Sequence, residues 1–228
     1  CDLALLNGNI VTMDRRLKRE QAVAVVGERI LRVGKNSDVK PLVTKKTKVL
    51  DLRGKTVIPG LIDTHIHFVD YGLSLERVDL RGVKSIAEIQ DKVMSKVKET
   101  HAGRWILGRG WDQERLKEKR YPNRHDLDKA APENPVLLNR VCGHVCVTNS
   151  RGLQVAGITK ETRDPQGGQI DKDPATGEPT GVLRDEAMSL IWQHVPPPTK
   201  DELVAAIDAA SRSALSSGLT TVHALLRD

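Results

Sequence analysis

An α/β fold, in which a small antiparallel sheet precedes a β/α unit, is what this sequence predicts on three observations. The first 56 residues break into short apolar, β-branched runs separated by Gly-containing turns. The stretch Val57-Ile-Pro-Gly-Leu-Ile-Asp-Thr-His-Ile-His-Phe68 reads as a buried strand punctuated by Pro59-Gly60. Helix-period and strand-like segments follow it to the end of the chain.

Leu3 to Met13 is an apolar run broken by the turn or bulge signal Asn7-Gly8-Asn9. Ala22 to Val26 and Ile30 to Val33 flank Gly27-Glu28 as a hairpin, and Val49 to Leu52 leads through Arg53-Gly54 into the Pro-Gly strand. In that strand, period two puts Leu61, Asp63, His65 and His67 on one face and Ile62, Thr64, Ile66 and Phe68 on the other. One face is apolar throughout, and the other ends in two imidazoles. This suits a barrel strand whose outer face lies under helices and whose inner face opens at its C-terminal end. Two histidines at i and i+2 lie within about 7 Å of each other and can converge on one divalent ion.

Further along, Ser85 and Glu88 make a capping box for a helix with Ile86, Ile89, Val93 and Val97 on one stripe, ending before Gly103. Trp105 to Gln113 reads as a strand entering a Gly-punctuated loop. Its Gly108-x-Gly110 lacks the third Gly and following helix of a dinucleotide site. Pro135 to Val141 is another strand, and Asn149-Ser150 caps a short helix ending near Gly157. Thr162 to Gly181 reads as a turn-rich excursion, its acidic residues misplaced for a calcium loop. Arg184 to His194 reads as a helix stopped by Pro196-Pro197-Pro198. Thr199 and Glu202 cap a last helix with Leu203, Ile207, Ala210 and Ala214 inward, and Leu219 to His223 reads as a second buried strand.

Composition narrows the function classes. Hydrophobic residues make up 39% of the 228, enough for a core. Lys and Arg number 36 against 30 Asp and Glu, a formal charge of +6 spread along the chain, and aromatics are only 3%. Without a dense basic run, that balance suits a solvated surface and argues against a nucleic-acid partner. No apolar run approaches the roughly 18 residues of a membrane span, so no membrane partner is expected. Three Cys, an odd number, argue against a disulfide framework and for a reducing, cytoplasmic setting.

A bare His-x-His is a weak signal, but the run Pro59-Gly-Leu-Ile-Asp-Thr-His-Ile-His67 resembles the first barrel strand of the amidohydrolase superfamily of metal-dependent hydrolases. The likeness extends backward through Asn7-Gly-Asn-Ile-Val-Thr-Met-Asp14, Ala22-Val-Ala-Val-Val-Gly-Glu-Arg-Ile30 and Asp51-Leu-Arg-Gly54, which resemble that family's N-terminal β-sandwich lobe. Forward, Gly110-Trp-Asp-Gln113, Pro135-Val-Leu-Leu-Asn-Arg140, Gly143-His144, Asn149-Ser150, Asp164-Pro-Gln-Gly-Gly168 and Gly177-Glu-Pro-Thr-Gly181 resemble the amidohydrolase 3 branch of formamide-deformylase-like enzymes. The resemblance covers essentially the whole chain. It implies a β-sandwich lobe over 1–56, then over 57–228 the start of a (β/α)8 TIM barrel with an α+β insertion at about 69–217 between barrel strands 1 and 2.

The same resemblance implies a site. His65 and His67 would hold a divalent metal, zinc by family habit, which lowers the pKa of a water to about 7 and polarises the scissile carbonyl of a small amide-type substrate. Asp63, one layer deeper, either orients a ligand imidazole or fills the barrel floor. Trp111 and Asp112 are pocket wall and polar contact, or Trp111 is buried in the insertion's own core. His144 lines the pocket or merely packs, and His223 ends a strand near the expected mouth. Cys142, His144 and Cys146 alternate, but on a strand the outer two stand about 13 Å apart, too far to share one zinc. A barrel takes about 250 residues by itself, and only two barrel strands are present. The rest is expected either from a missing C-terminal portion or from another chain, as in a homo-oligomer, and the isolated chain is expected to be inactive. The rival expectation is a non-catalytic β-rich binding or assembly module.

Overall fold

Asn7 sits at φ 57 between β1 (Leu3–Leu6) and β2 (Asn9–Val11), so the Asn-Gly break acts as the turn its chemistry suggests. The computed structural model describes residues 1–16 and 19–225. The chain falls into two compact units, residues 1–66 with 214–223, and a second centred on 67–213.

In the first unit, β3 (Arg19–Glu20), β4 (Ala22–Val26) and β5 (Arg29–Gly34) follow. Then come α1 (Asn36–Val39), β6 (Lys48–Asp51) and β7 (Thr56–Val57). The expected hairpin forms as the antiparallel pair β4–β5, turning at Gly27 with φ 53. Two sheets result, ordered β5-β4-β1-β6 and β3-β2-β7. They are mixed rather than antiparallel, because β6 runs parallel to β1 and β7 parallel to β2. A parallel neighbour needs a crossover of about a dozen residues, which the segment from Lys35 to Thr47 supplies through α1. Period two sorts the core. Ala22 and Ala24 pack with Ala4, Leu6 and Val39, while Val23 packs the other way with Ile10 and Leu52.

β8 (Leu61–Ile66) pairs with the late strand Leu219–Ala224 in a two-stranded sheet. Gly60 permits the approach, since a Cβ there would stand 2.1 Å from Thr220 Oγ1. The sequence reading requires correction on both strands. Neither is fully buried: Leu61 is 48% and Ile62 58% exposed while Ile66 is half-buried, and in the partner strand only Leu219 and Val222 are half-buried. And β8 stops at Ile66, so His67 leaves the strand.

The second unit begins with α2 (Phe68–Leu75) and the short β9 (Val78–Asp79), both unread in the sequence. It continues with α3 (Ile86–Val97), β10 (Ile106–Trp111), α4 (Arg124–Asp128), β11 (Val136–Arg140), β12 (Val145–Thr148) and α5 (Ser150–Ala156). After β13 (Gly168–Lys172) and β14 (Pro179–Asp185) come α6 (Ser189–Trp192) and α7 (Lys200–Ser216). The capping signals hold. Ser85 Oγ accepts from Glu88 N at 3.2 Å, Asn149 Oδ1 from Gly152 N at 2.9 Å, and Thr199 Oγ1 from Glu202 N at 3.3 Å. The helix expected from Arg184 starts only after β14, and the turn-rich excursion contributes β13. Both strands form because each finds a ladder partner, a non-local benefit that local propensity does not register.

The six strands are ordered β13-β14-β12-β11-β10-β9, with β9, β10 and β11 parallel and the rest antiparallel. Alternation along the strands gives two cores. Val136, Leu138, Val145, Val147 and Val182 face Ile86, Ile89 and Val93 of α3 and Leu127 of α4. Leu137, Cys146 and Leu183 face Leu153 of α5 and Ile191 of α6. Burial pushes the Cys146 thiol up to about 12.

In α7 the buried residues are Ala206, Ala210 and Ala214, while Ile207 is 43% exposed, a correction to the inward stripe. The reason lies in α2, whose Gly72 comes so close that a Cβ there would stand 2.1 Å from the Ala206 carbonyl oxygen. Only a small-residue face fits. Gly72→Ala gains about 1 kcal/mol of helix propensity but drives a methyl into the backbone of Ala206 and forces the helices apart, at about 3 kcal/mol, the upper end of the overpacking range. Urea unfolding is expected to show a net loss, and a variant as stable as the parent would overturn this packing.

A bulge between Arg109 and Trp111 shifts the register of β10. Simple alternation would put Trp111 beside Leu107; instead it joins Ile106 in the α3 core, 0% exposed. Its Nε1–H donates to Leu138 O at 2.9 Å, and Tyr121 meets it edge-on at 5.6 Å. Trp111→Phe leaves that carbonyl without its donor and opens space, so denaturant melts should show about 1–3 kcal/mol of lost stability. A near-neutral change would show that this indole is not a core group.

Candidate functional site

His65 and His67 are separated by the end of a strand. His65 is exposed on β8, and its backbone N–H donates to Asp63 Oδ1 at 3.0 Å. Asp63 therefore braces the backbone of the residue that carries the first imidazole. His67 is the N-cap of α2, with φ −84 and ψ 73, and its carbonyl accepts from Tyr71 N at 2.9 Å. Its Nδ1 lies 3.9 Å from Asp70 Oδ2, at the start of the helix, with the imidazole 50% exposed. The expectation that both histidines share one strand face is corrected, since the chain turns into a helix between them. His223 is exposed on its strand.

The remaining candidates gather at the C-terminal ends of β10 and β11. Trp111 takes the core alternative, so none of its surface meets a ligand. Asp112 follows it at the rim, where its Oδ1 accepts from Arg140 Nη2 at 3.0 Å and from Glu114 N at 3.2 Å. Arg140 Nε also donates to Gln113 Oε1 at 2.7 Å. Beyond Arg140 the chain turns at Gly143, φ 81, between exposed Cys142 and His144. His144 Nδ1 lies 3.3 Å from Asp185 Oδ1, both side chains mostly exposed.

Electrostatics follow from these contacts. Partial desolvation pushes the Cys142 thiol up, but the His144 backbone N–H and the Arg140 guanidinium outweigh it and hold the thiol below its ordinary value. Nearby at the end of β9, the Arg81 guanidinium grips Asp79 and brings its carboxyl down to about 2. Sequence reasoning missed Arg140 and Asp185. A signal existed in Arg140, a charged residue closing an apolar strand just before the Cys-x-His alternation, but its partners come from another strand.

The donor chemistry of His65 and His67, two imidazoles at exposed positions, fits part of a divalent-metal site. Among the described residues no group of three or more His, Cys, Asp and Glu stands ready to hold an ion, so the pair supplies fewer than the roughly three protein ligands of a catalytic zinc site. Cys142, His144 and Cys146 make no such group either: Cys146 is buried in β12 while Cys142 is exposed in the turn. No helix among the described residues is long and apolar enough to cross a membrane.

Comparison with known proteins places these features in a lineage. The chain is 40% identical over 221 residues to LONG AFTER FAR-RED 3 of Arabidopsis thaliana, covering 97% of this chain and 38% of that protein. It is 33% identical to N-substituted formamide deformylase of Arthrobacter pascens, covering 97% of this chain and 42% of that enzyme. An uncharacterized metal-dependent hydrolase from Pyrococcus furiosus superposes with a TM-score of 0.74 at 33% identity, over 99% of this chain and 44% of that one. The chain thus spans about two fifths of the length of the curated relatives it matches. The model of the amidohydrolase family matches residues 48–227, from β6 through both strands of the two-stranded sheet, and on that match the chain belongs to the amidohydrolase family, in its amidohydrolase 3 branch.

Proposed function

We propose that this chain contributes to a metal-dependent amidohydrolase that hydrolyses a non-peptide C–N bond of a small amide. The observation that carries the reading is His65-x-His67 at the end of β8, braced by Asp63 and set in a chain of this family. In this reading β8 and Leu219–Ala224 are the first two strands of a (β/α)8 barrel, and the six-stranded unit is an insertion between them. Their pairing supports it, as does the exposed apolar surface of Leu61 and Ile62 in β8, which a barrel would cover with neighbouring strands and helices. The name of the Arthrobacter relative, a deformylase of N-substituted formamides, supports the bond class.

His65 and His67 supply two imidazole ligands, with zinc the ion their chemistry favours. His65 and His67 would hold part of the coordination of a divalent ion, which would supply Lewis-acid activation of water and of the scissile carbonyl. Asp63 accepts a hydrogen bond from the backbone N–H of His65 and so braces the strand end that carries the first imidazole. Asp112 and His144 offer an acceptor and an imidazole to the polar end of a substrate.

Metal and activity measurements test this. The 228-residue chain should bind zinc weakly, raising its melting temperature little because the unfolded chain's seven His and three Cys compete for the ion. It should not turn over N-substituted formamides in excess zinc. A polypeptide extended past Asp228 should hold metal tightly and lose both metal and turnover in His65→Ala. Turnover by the short chain that His65→Ala abolishes would overturn the incomplete ligand set. An extended protein indifferent to both histidines would overturn the metal assignment itself.

A further inference from the structure

Arg140 ends β11 beside its parallel neighbour β10, which ends at Trp111, so both strands deliver their next residues to the same edge of the sheet. The guanidinium reaches across that edge to Gln113 Oε1 at 2.7 Å and to Asp112 Oδ1 at 3.0 Å. Arg140 and Asp112 are only 18% and 22% exposed, and a charge-assisted pair so withdrawn from water holds one geometry. The same guanidinium interacts with the thiol of Cys142, two residues along the chain. His144 and Asp185 complete the neighbourhood.

We infer that Arg140 is a positioning residue, tying Asp112 and Gln113 after β10 to the turn that carries Cys142 and His144 after β11, so that two loops form one polar rim. The inference rests on the reading that Asp112 and His144 face the substrate. The rim lies at the carboxyl ends of two parallel strands, the end of an α/β sheet at which ligands bind. Arg140 acts through its neighbours. It presents the Asp112 carboxylate in one orientation, suited to accept an N–H from an amide, while its own positive charge stands behind that carboxylate.

Cys142 is the reporter, because it is exposed while Cys146 is buried, and Cys1 is read on a separate peptide. Its alkylation by iodoacetamide, followed peptide by peptide from about pH 6 to about pH 10, traces its thiolate fraction. Arg140→Met removes the counter-charge, and the Cys142 profile is expected to move to higher pH by about half a unit or more. Asp112→Asn keeps the shape and an acceptor oxygen but removes the competing carboxylate, so the profile should move to lower pH. In the Arg140→Met background the Asp112→Asn shift should disappear, because the link between the loops is gone. A merely structural Arg140 would lower the melting temperature of Arg140→Met and leave the Cys142 profile in place. Should Arg140→Met fail to fold, Asp112→Asn alone decides, and a Cys142 profile indifferent to it in a folded chain overturns the inference. Neither metal content nor turnover enters this measurement, so its failure is distinct from failure of the hydrolase reading.

Discussion

The central sheet of the second unit is buried on both faces, and most of what this unit does follows from that constraint. Each of its inner strands must present apolar side chains in both directions, as Val136, Leu137 and Leu138 do in β11 and Val145, Cys146 and Val147 in β12. Several of the ion pairs stand at the strand ends, Asp79 with Arg81 at the end of β9, Asp112 with Arg140 at the ends of β10 and β11, and His144 with Asp185 where β14 closes, while Arg184 meets Asp171 across the edge pair β14 and β13.

One local irregularity decides which residue becomes core and which becomes rim. Gly110 adopts φ 111 beside the backbone of Arg81, a conformation and an approach that a side chain would oppose. The bulge it makes turns Trp111 into the α3 core and leaves Asp112 at the rim, where Arg140 can reach it. The indole and the carboxylate are adjacent in sequence but serve different ends, one filling the core and the other making an ion pair with Arg140 at the strand ends. The positive φ at Gly110 and the buried hydrogen bond from Trp111 to Leu138 are thus conditions for the polar rim as well as for the core.

The first unit obeys a different economy of burial. Its four-stranded sheet covers itself with α1 on one side and with Ile10 and Leu52 on the other, and needs only small clusters to do so. β8 has no comparable cover among the described residues at its start, where Leu61 and Ile62 are 48% and 58% exposed. Apolar surface of this kind is expensive to leave in water.

Much was legible in the sequence because it depends on neighbours in the chain. Ser85, Asn149 and Thr199 cap helices because a side-chain oxygen meets an amide three residues on. The β4–β5 hairpin forms because Gly27 takes the turn, and the run Pro59 to His67, with the separated motifs on either side of it, carried the resemblance to the family. What only the tertiary structure decided depends on partners distant in sequence. β13 and β14 form because they find each other across the excursion that local signals read as turns. His67 leaves the strand to cap α2, a helix whose anchor, the contact of Gly72 with Ala206, lies far along the chain. Ile207 faces outward for the same reason, and Trp111 is core because a bulge outvotes alternation. Arg140 became visible only when β10 and β11 lay side by side. Local chemistry prescribes a turn or a cap from one short segment, whereas a register, a helix contact or an ion pair across two strands exists only once both partners have been placed.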